Sequence, residues 1–282
     1  MKARLSHSRL WNFLIAIPKL LILLFFSLVA IYPIYYMVVT AFKTRPDWIH
    51  NQFGLPNQFT LQNLTDALNK GNIPHWFINS LLVTIASLIV STIVSALAAY
   101  AVARFRFAGR AFYFNSMIAL MVIPPAVLIL PLFVLMVNVS LINTLPSVII
   151  IYSGLLIPFS IYLLVSFFRN LPPELFDAAA IDGCTNLDIF WRITLPLCTP
   201  ALVTLVVVNA LFVWNELFIA LVFLQGENVM TLMPGLTLFK GHFTVNEPLV
   251  MAGTLIATLP MILLYFFGQQ LFVEGLVAGA VK

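Results

Sequence analysis

The sequence predicts an all-α membrane protein: six transmembrane helices, with a helix–turn–helix loop between the fourth and the fifth. Three observations carry this. Of 282 residues, 62% are hydrophobic and only 9% charged, a balance that excludes an ordinary soluble domain. Six apolar runs reach the ~20 residues needed to cross ~30 Å of hydrocarbon. They are Leu20–Val39, Asn79–Val102, Phe112–Met136, Val148–Phe168, Ala201–Phe223 and Val250–Phe272. None contains Lys or Arg, and the one acid among them is Glu216. The third observation is a polar segment, Pro172 to Pro200, which holds Glu174, Asp177, Asp182 and Asp188, four of the ten acids.

The elements follow in order. Residues 1–19 form a basic leader with Lys2, Arg4, Arg9 and Lys19. The first apolar run is long for a signal core and no small-residue cleavage site follows, so it reads as an uncleaved anchor. Lys43 to Trp76 is a long loop, and its Phe59–Leu64 stretch starts a short amphipathic helix. The second span carries Ser80, Thr84, Ser87, Ser91 and Ser95 at spacings of four and three, which keeps them in one stripe. That stripe fits close helix packing, the favoured reading, or a pathway wall. Arg104, Arg106 and Arg110 then lead into the third span. Pro33, Pro124, Pro125, Pro131, Pro158 and Pro260 fall inside spans and predict kinks.

In the polar segment, Pro172 and Pro173 suit a first helical turn, and Glu174 and Asp177 favour its positive end. Ala178, Ala179 and Ala180 give a small-residue face; a helix that enters a groove and an ordinary surface hairpin are both open from the residues alone. Gly183 stands where a left-handed cap ends the helix. Thr185–Asp188 fits a capping box opening a second helix, with Phe190, Ile193 and Leu197 at helical spacing and Pro196 and Pro200 as stops.

The fifth span places Asn209 and Glu216 on one helical face, with Asn215 a third of a turn away. A carboxylate at that depth must meet water, solute or a partner helix. A pathway or gate and a bond to a partner subunit are both open. Trp214 could stack on a sugar ring or anchor at the lipid interface. Gly226 to Pro248 is a second long loop, with Pro234-Gly235 as a turn.

Ten of the fourteen Lys and Arg fall on the side that carries both termini and the polar loop, which the positive-inside rule makes cytoplasmic. Cys184 and Cys198 both sit in that loop, where a disulfide is disfavoured, and no histidine completes a zinc site. No GxxxxGK[ST] phosphate loop occurs, and His7, His50, His75 and His242 form no catalytic cluster. The net charge of +4 reflects the loop bias and does not point to nucleic acid.

The polar loop resembles the EAA motif of bacterial ABC import permeases. Asp177-Ala178-Ala179 stands for Glu-Ala-Ala, and Ile181-Asp182-Gly183, Leu195-Pro196-Leu197 and Pro200 match the rest. The departures are an acid one methylene shorter at 177 and Cys184 for the usual alanine. Ala103–Phe107, Phe212–Leu217, Met251-Ala252-Gly253 and the tail from Phe272 to Lys282 resemble the carbohydrate-uptake, maltose-type branch. The resemblance implies a single permease domain over 1–282, with residues 169–199 as a cytoplasmic coupling loop in the bacterial inner membrane. Glu174, Asp177, Ala178, Ala179, Asp182 and Gly183 would contact an ATPase. Asn209, Asn215, Glu216, Ser80, Thr84 and Ser87 are the pathway candidates. The implied partners are a second, homologous permease, two ABC ATPases that carry ATP and Mg, and an extracytoplasmic solute-binding protein. The implied cargo is a sugar. This chain itself would hold no cofactor. An ion-coupled secondary transporter is the alternative, weakened by the single membrane acid, and a membrane enzyme lacks a catalytic constellation.

Overall fold

The computed structural model describes residues 2–70, 72–239 and 246–280, with side chains over 16–69, 72–239 and 246–269. Lys240, His242, Lys282 and the tail side chains fall outside these ranges. The described residues are helical apart from loops and one isolated bridge, Lys43 to Phe59. Four helical stretches are long and apolar enough to cross a bilayer: Ala16–Ala41, Ile73–Arg104, Leu145–Arg169 and Glu247–Gln269. Two bent helix pairs bring the number to six if each counts as one span.

The chain divides into two compact units. One comprises Met1–Gly71 with Phe239–Ile256, the other Asn72–Leu238 with Ala257–Lys282. In the first unit, α1 (Lys2–Ala41) continues through Pro18 and Pro33. Every large apolar side chain from Leu20 to Ile34 is exposed, as on a helix solvated by lipid. Beyond it, α2 (Arg45–His50) and α3 (Gln62–Lys70) fold the long loop into a knob. Lys43 is fully buried there, its ammonium donating to the Asn51 and Gln52 carbonyls at 2.5 and 3.2 Å. Burial pushes its pKa down, against the opposing pull of Asp47. Asn63 Nδ2 donates to the Ala41 and Lys43 carbonyls, and Asp47 accepts from Asn57. The amphipathic helix expected to start near Phe59 is α3.

The second unit is built on α4 (Ile73–Arg104) and, after α5 (Arg110–Leu120) and α6 (Pro125–Asn138), on α7 (Leu145–Arg169). The third expected span is not one rod: α5 and α6 meet at 103°. Pro124 is extended (φ −62°, ψ 133°) and Pro125 opens α6. Two adjacent prolines give no N–H to continue α5, and the residue before a proline is pushed out of the helical region. Single prolines at 131 and 158 sit within continuous helices.

The polar loop folds as α8 (Pro173–Ile181), α9 (Asn186–Ile189), a π-helical turn Phe190–Thr194 and α10 (Leu195–Leu197). It leads through Cys198 into α11 (Thr199–Asn215), at a bend of 76°. Pro196 lies one residue before the end of the continuous helical stretch Asn186–Leu197, close to the stop expected there, whereas Pro200 lies in the first turn of α11 and starts a helix where a stop was expected. Short helices α12 (Phe218–Phe223) and α13 (Leu232–Thr237) follow, then α14 (Glu247–Ala280). The fifth span therefore ends as a helix at Asn215, short of the expected Phe223.

Helices α4 and α7 pack along each other; Ser80, Thr84, Ser87, Ser91 and Ser95 on α4 are all buried, as are Ser147, Ser153 and Ser160 on α7. Ser153 Oγ lies 3.5 Å from the Ser87 carbonyl, and Ser87 Oγ lies 3.5 Å from the Ile149 carbonyl. Between helices in lipid, burial supplies little drive, and close contact through small residues replaces it. Interhelical hydrogen bonds add about 0.6 kcal/mol each. Two apolar clusters cap the seam. One joins Tyr100, Leu164, Phe168, Phe176 and Phe190, the other Val83, Tyr152, Val213 and Phe223.

Candidate functional site

The polar loop closes as its residues dictate. Gly183 has φ +81°, Cys184 N donates to the Ala179 carbonyl at 3.0 Å, and Gly183 N donates to that of Ala180 at 3.1 Å. This is the paired Schellman closure of α8. Thr185 and Asp188 form a complete capping box on α9. The Asp188 carboxyl is held below its ordinary range, first by the Thr185 hydroxyl and then by the Thr185 N–H.

Alpha-8 has two unlike faces. Phe176 and Ala179, three residues apart, are buried. Glu174, Asp177, Ala178 and Ile181, at 0, +3, +4 and +7, are exposed. Asp182 and Gly183 are exposed beside them. Of the expected coupling residues, Ala179 alone turns inward, so it seats the helix and does not contribute to the outer face. The sequence reading missed Ile181, which is 86% exposed, and Leu187 on α9, also exposed. Both are large apolar groups in a polar loop, and the helical spacing from Glu174 would have placed Ile181 on the open face. The seat of α8 includes Arg104 at the end of α4, whose guanidinium lies 3.4 Å from the centroid of the Phe176 ring.

Both cysteines are free thiols. Cys198 is buried at the bend before α11, and burial pushes its thiol up to about 11.

A second candidate lies where α11 breaks. Glu216 has extended backbone (φ −72°, ψ 124°). Its carboxylate accepts from the Tyr152 hydroxyl at 2.7 Å and from the backbone N–H groups of Ile219 and Ala220 at 3.0 to 3.1 Å. It thus satisfies the free donors at the start of α12 and ties that start to α7. Tyr152 was not singled out from the sequence; it pairs with Glu216 only across 64 residues. Asn215 is exposed and bonds its own helix at the Leu211 carbonyl. Trp214 is neither lipid-facing nor open to a sugar. It is buried, donates to the Ala257 carbonyl of α14 at 3.0 Å, and meets Phe77 edge-on.

Beside this break is a cavity of about 670 Å³ lined by the α5–α6 elbow, α7 and α11. Its walls are mostly apolar, with Asn209 the pathway candidate that reaches it. Asn209 Nδ2 donates to Ser160 Oγ at 3.0 Å. Ser80, Thr84 and Ser87 are buried on α4 and do not line it: Ser87 faces α7, and Ser80 Oγ accepts from Leu232 N at the start of α13 at 2.8 Å. Among the described residues, no group of His, Cys, Asp and Glu could hold a metal.

Residues 91–276 match the family described as "Binding-protein-dependent transport system inner membrane component". The probable ABC transporter permease protein YurM of Bacillus subtilis is 36% identical over 262 residues, 93% of this chain and 87% of that protein. The arabinooligosaccharides transport system permease protein AraQ of Halalkalibacterium halodurans is 32% identical, covering 92% of this chain and 93% of its own length. Among solved structures, a bacterial ABC transporter involved in the import of the acidic polysaccharide alginate superimposes with a TM-score of 0.82. The match covers 91% of this chain and 96% of that one at 24% identity. The shared fold, the helix–glycine–helix loop and these matches place the chain in one family: it belongs to the inner-membrane components of binding-protein-dependent transport systems, the permease subunits of ABC transporters.

Proposed function

We propose that this permease is one of a pair of homologous subunits that carries a sugar or oligosaccharide into the cytoplasm by alternating access. ATP with Mg is bound and hydrolysed on two cytoplasmic ATPase subunits, and an extracytoplasmic binding protein delivers the cargo. The observation that carries this reading is the outer face of α8, where Glu174, Asp177, Ala178 and Ile181 stand free beside a rigid glycine cap. An apolar residue ringed by acids on a helix seated by its opposite side suits insertion into a protein groove. The bias of basic residues supports a cytoplasmic position for that face and for both termini.

Saccharide cargo is supported by the arabino-oligosaccharide relative and by the alginate-importing neighbour. The cavity at the α5–α6 elbow, with Asn209 on its wall, is the part of this chain best placed to border the pathway or the second permease. Membership of an ABC family leaves no support for the ion-coupled alternative.

Ile181→Glu tests the docking face, because Ile181 supports nothing inside this chain. The variant should reach the membrane at the wild-type level and lose the copurifying ATPase. Full retention of the ATPase would refute docking through α8. A saccharide-binding screen on the cognate binding protein tests the cargo class, and retention of only non-saccharide solutes would overturn it.

A further inference from the structure

We infer that Arg104 is the positioning residue that transmits movement of α8 to the membrane helices. This rests on the docking role proposed for α8.

The contacts converge on the last turn of α4. The Arg104 guanidinium stacks 3.4 Å above the centroid of Phe176, the buried residue of α8. One turn earlier on α4, Tyr100 packs against Phe190 of the π-helical turn, with centroids 5.2 Å apart, and meets Phe105 edge-on. One end of one helix therefore holds both limbs of the loop. No helix packs extensively along the α8 backbone among the described residues. Its connection depends on side-chain reach: Phe176 and Ala179 seat it in the apolar cluster with Leu164 and Phe168, and the planar cation over the Phe176 ring adds a contact of defined geometry.

The other basic residues nearby do not share this arrangement. Arg106 is exposed, and Arg169 lies 5.1 Å from the Phe114 ring, outside α8. From Arg104, α4 runs as an unbroken helix along its seam with α7. In turn, α7 lines the cavity through Ile150, Ile151 and Gly154. A displacement of Phe176 thus has a continuous, close-packed route to the cavity wall.

The test uses the assembled complex of both permeases, both ATPases and the binding protein, with Cys184 replaced by Ser and Gly154 by Cys. A Cβ at Gly154 meets no atom within 4 Å, so the new thiol reports on the cavity. The probe is MgATP with vanadate, and the readouts are ATP hydrolysis and the maleimide reactivity of residue 154. In the parent, trapping should change that reactivity. Adding Arg104→Gln should leave hydrolysis within about twofold of the parent and reduce the trapping-induced change at least tenfold. Phe176→Leu, which keeps apolar volume without a ring face, should do the same, and the double variant should be no worse than either single. An unchanged response in Arg104→Gln or in Phe176→Leu overturns the inference. So does a parallel fall in hydrolysis and assembly in both variants, since that marks Arg104 as structural. If the parent itself shows no response to trapping, the alternating-access reading fails first, and the inference goes with it.

Discussion

The Tyr152 hydroxyl donates to the Glu216 carboxylate at 2.7 Å, joining the amino-terminal third of α7 to the point where the fifth span stops being helical. The same carboxylate holds the N–H groups of Ile219 and Ala220. Glu216 is thus a brace inside this chain, whatever else it meets.

Variants at Glu216 should therefore separate in a graded way. Glu216→Ala leaves the Ile219 and Ala220 donors and the Tyr152 hydroxyl without an acceptor. A lost helix cap costs about 1 kcal/mol and an unsatisfied buried group about 1–3 kcal/mol. The yield and Tm of assembled complex should both fall. Glu216→Gln keeps one carbonyl oxygen for the donors and should assemble at the wild-type level while transport changes. Tyr152→Phe should resemble Glu216→Gln. Wild-type transport and thermal stability in all three would remove both the bracing and the pathway roles.

Gly183→Leu should abolish uptake without removing the protein from the membrane. A Cβ there meets no other atom of this chain, so the damage is not a steric clash within it. The φ of +81° costs a non-glycine residue about 1–2 kcal/mol, and the side chain would project beside the exposed face of α8. Gly183→Asn, which tolerates left-handed backbone better, should retain more uptake than the leucine variant. Equal uptake in both would contradict a role for the cap.

Orientation can be read with a membrane-impermeant maleimide. Gln58 is exposed in the first loop, and Gln58→Cys leaves intact the Asn51 side chain, which accepts from Gly54 and donates to Leu55. Intact cells should label Gln58→Cys and spare Cys184, which should react only once the membrane is opened. Labelling of Cys184 from outside would reverse the topology. Cys198 should stay unlabelled at neutral pH in either case. Its pKa is raised from 9.0 to about 11 by burial, so the unfolded chain loses the proton first. That contribution to stability is complete below about pH 9 and is lost as pH rises toward 11. Alkaline titration of the complex, monitored by Tm, should show a decline in that window, and Cys198→Ala should reduce it.

Lys43→Met should loosen the long loop between α1 and α4. The substitution removes the donor to the Asn51 and Gln52 carbonyls while preserving the apolar stem. Limited proteolysis between residues 44 and 61 should accelerate severalfold, with the membrane helices unaffected. Unchanged cleavage would show that Asn63 and Asp47 hold the loop without it.

The sequence by itself determined the class of this protein, the number of apolar runs, and the local chemistry of the polar loop. These are short-range properties: a glycine that must be left-handed, a Thr–Asp box three residues apart, and a run of residues too apolar for water. It also placed the hydroxyl stripe on one face of α4. The tertiary structure decided what each face meets. It set Ser87 against α7 and Ser80 against the start of α13, turned Ala179 inward and Ile181 outward, and broke the third and fifth spans at Pro124 and Glu216. It paired Glu216 with Tyr152, Trp214 with Ala257, and Arg104 with Phe176. Helical periodicity specifies which residues share a face but not which distant helix covers it. In lipid, where apolar faces are nearly interchangeable, that choice is made by shape and by the few hydrogen bonds and ring contacts that only the folded chain brings together.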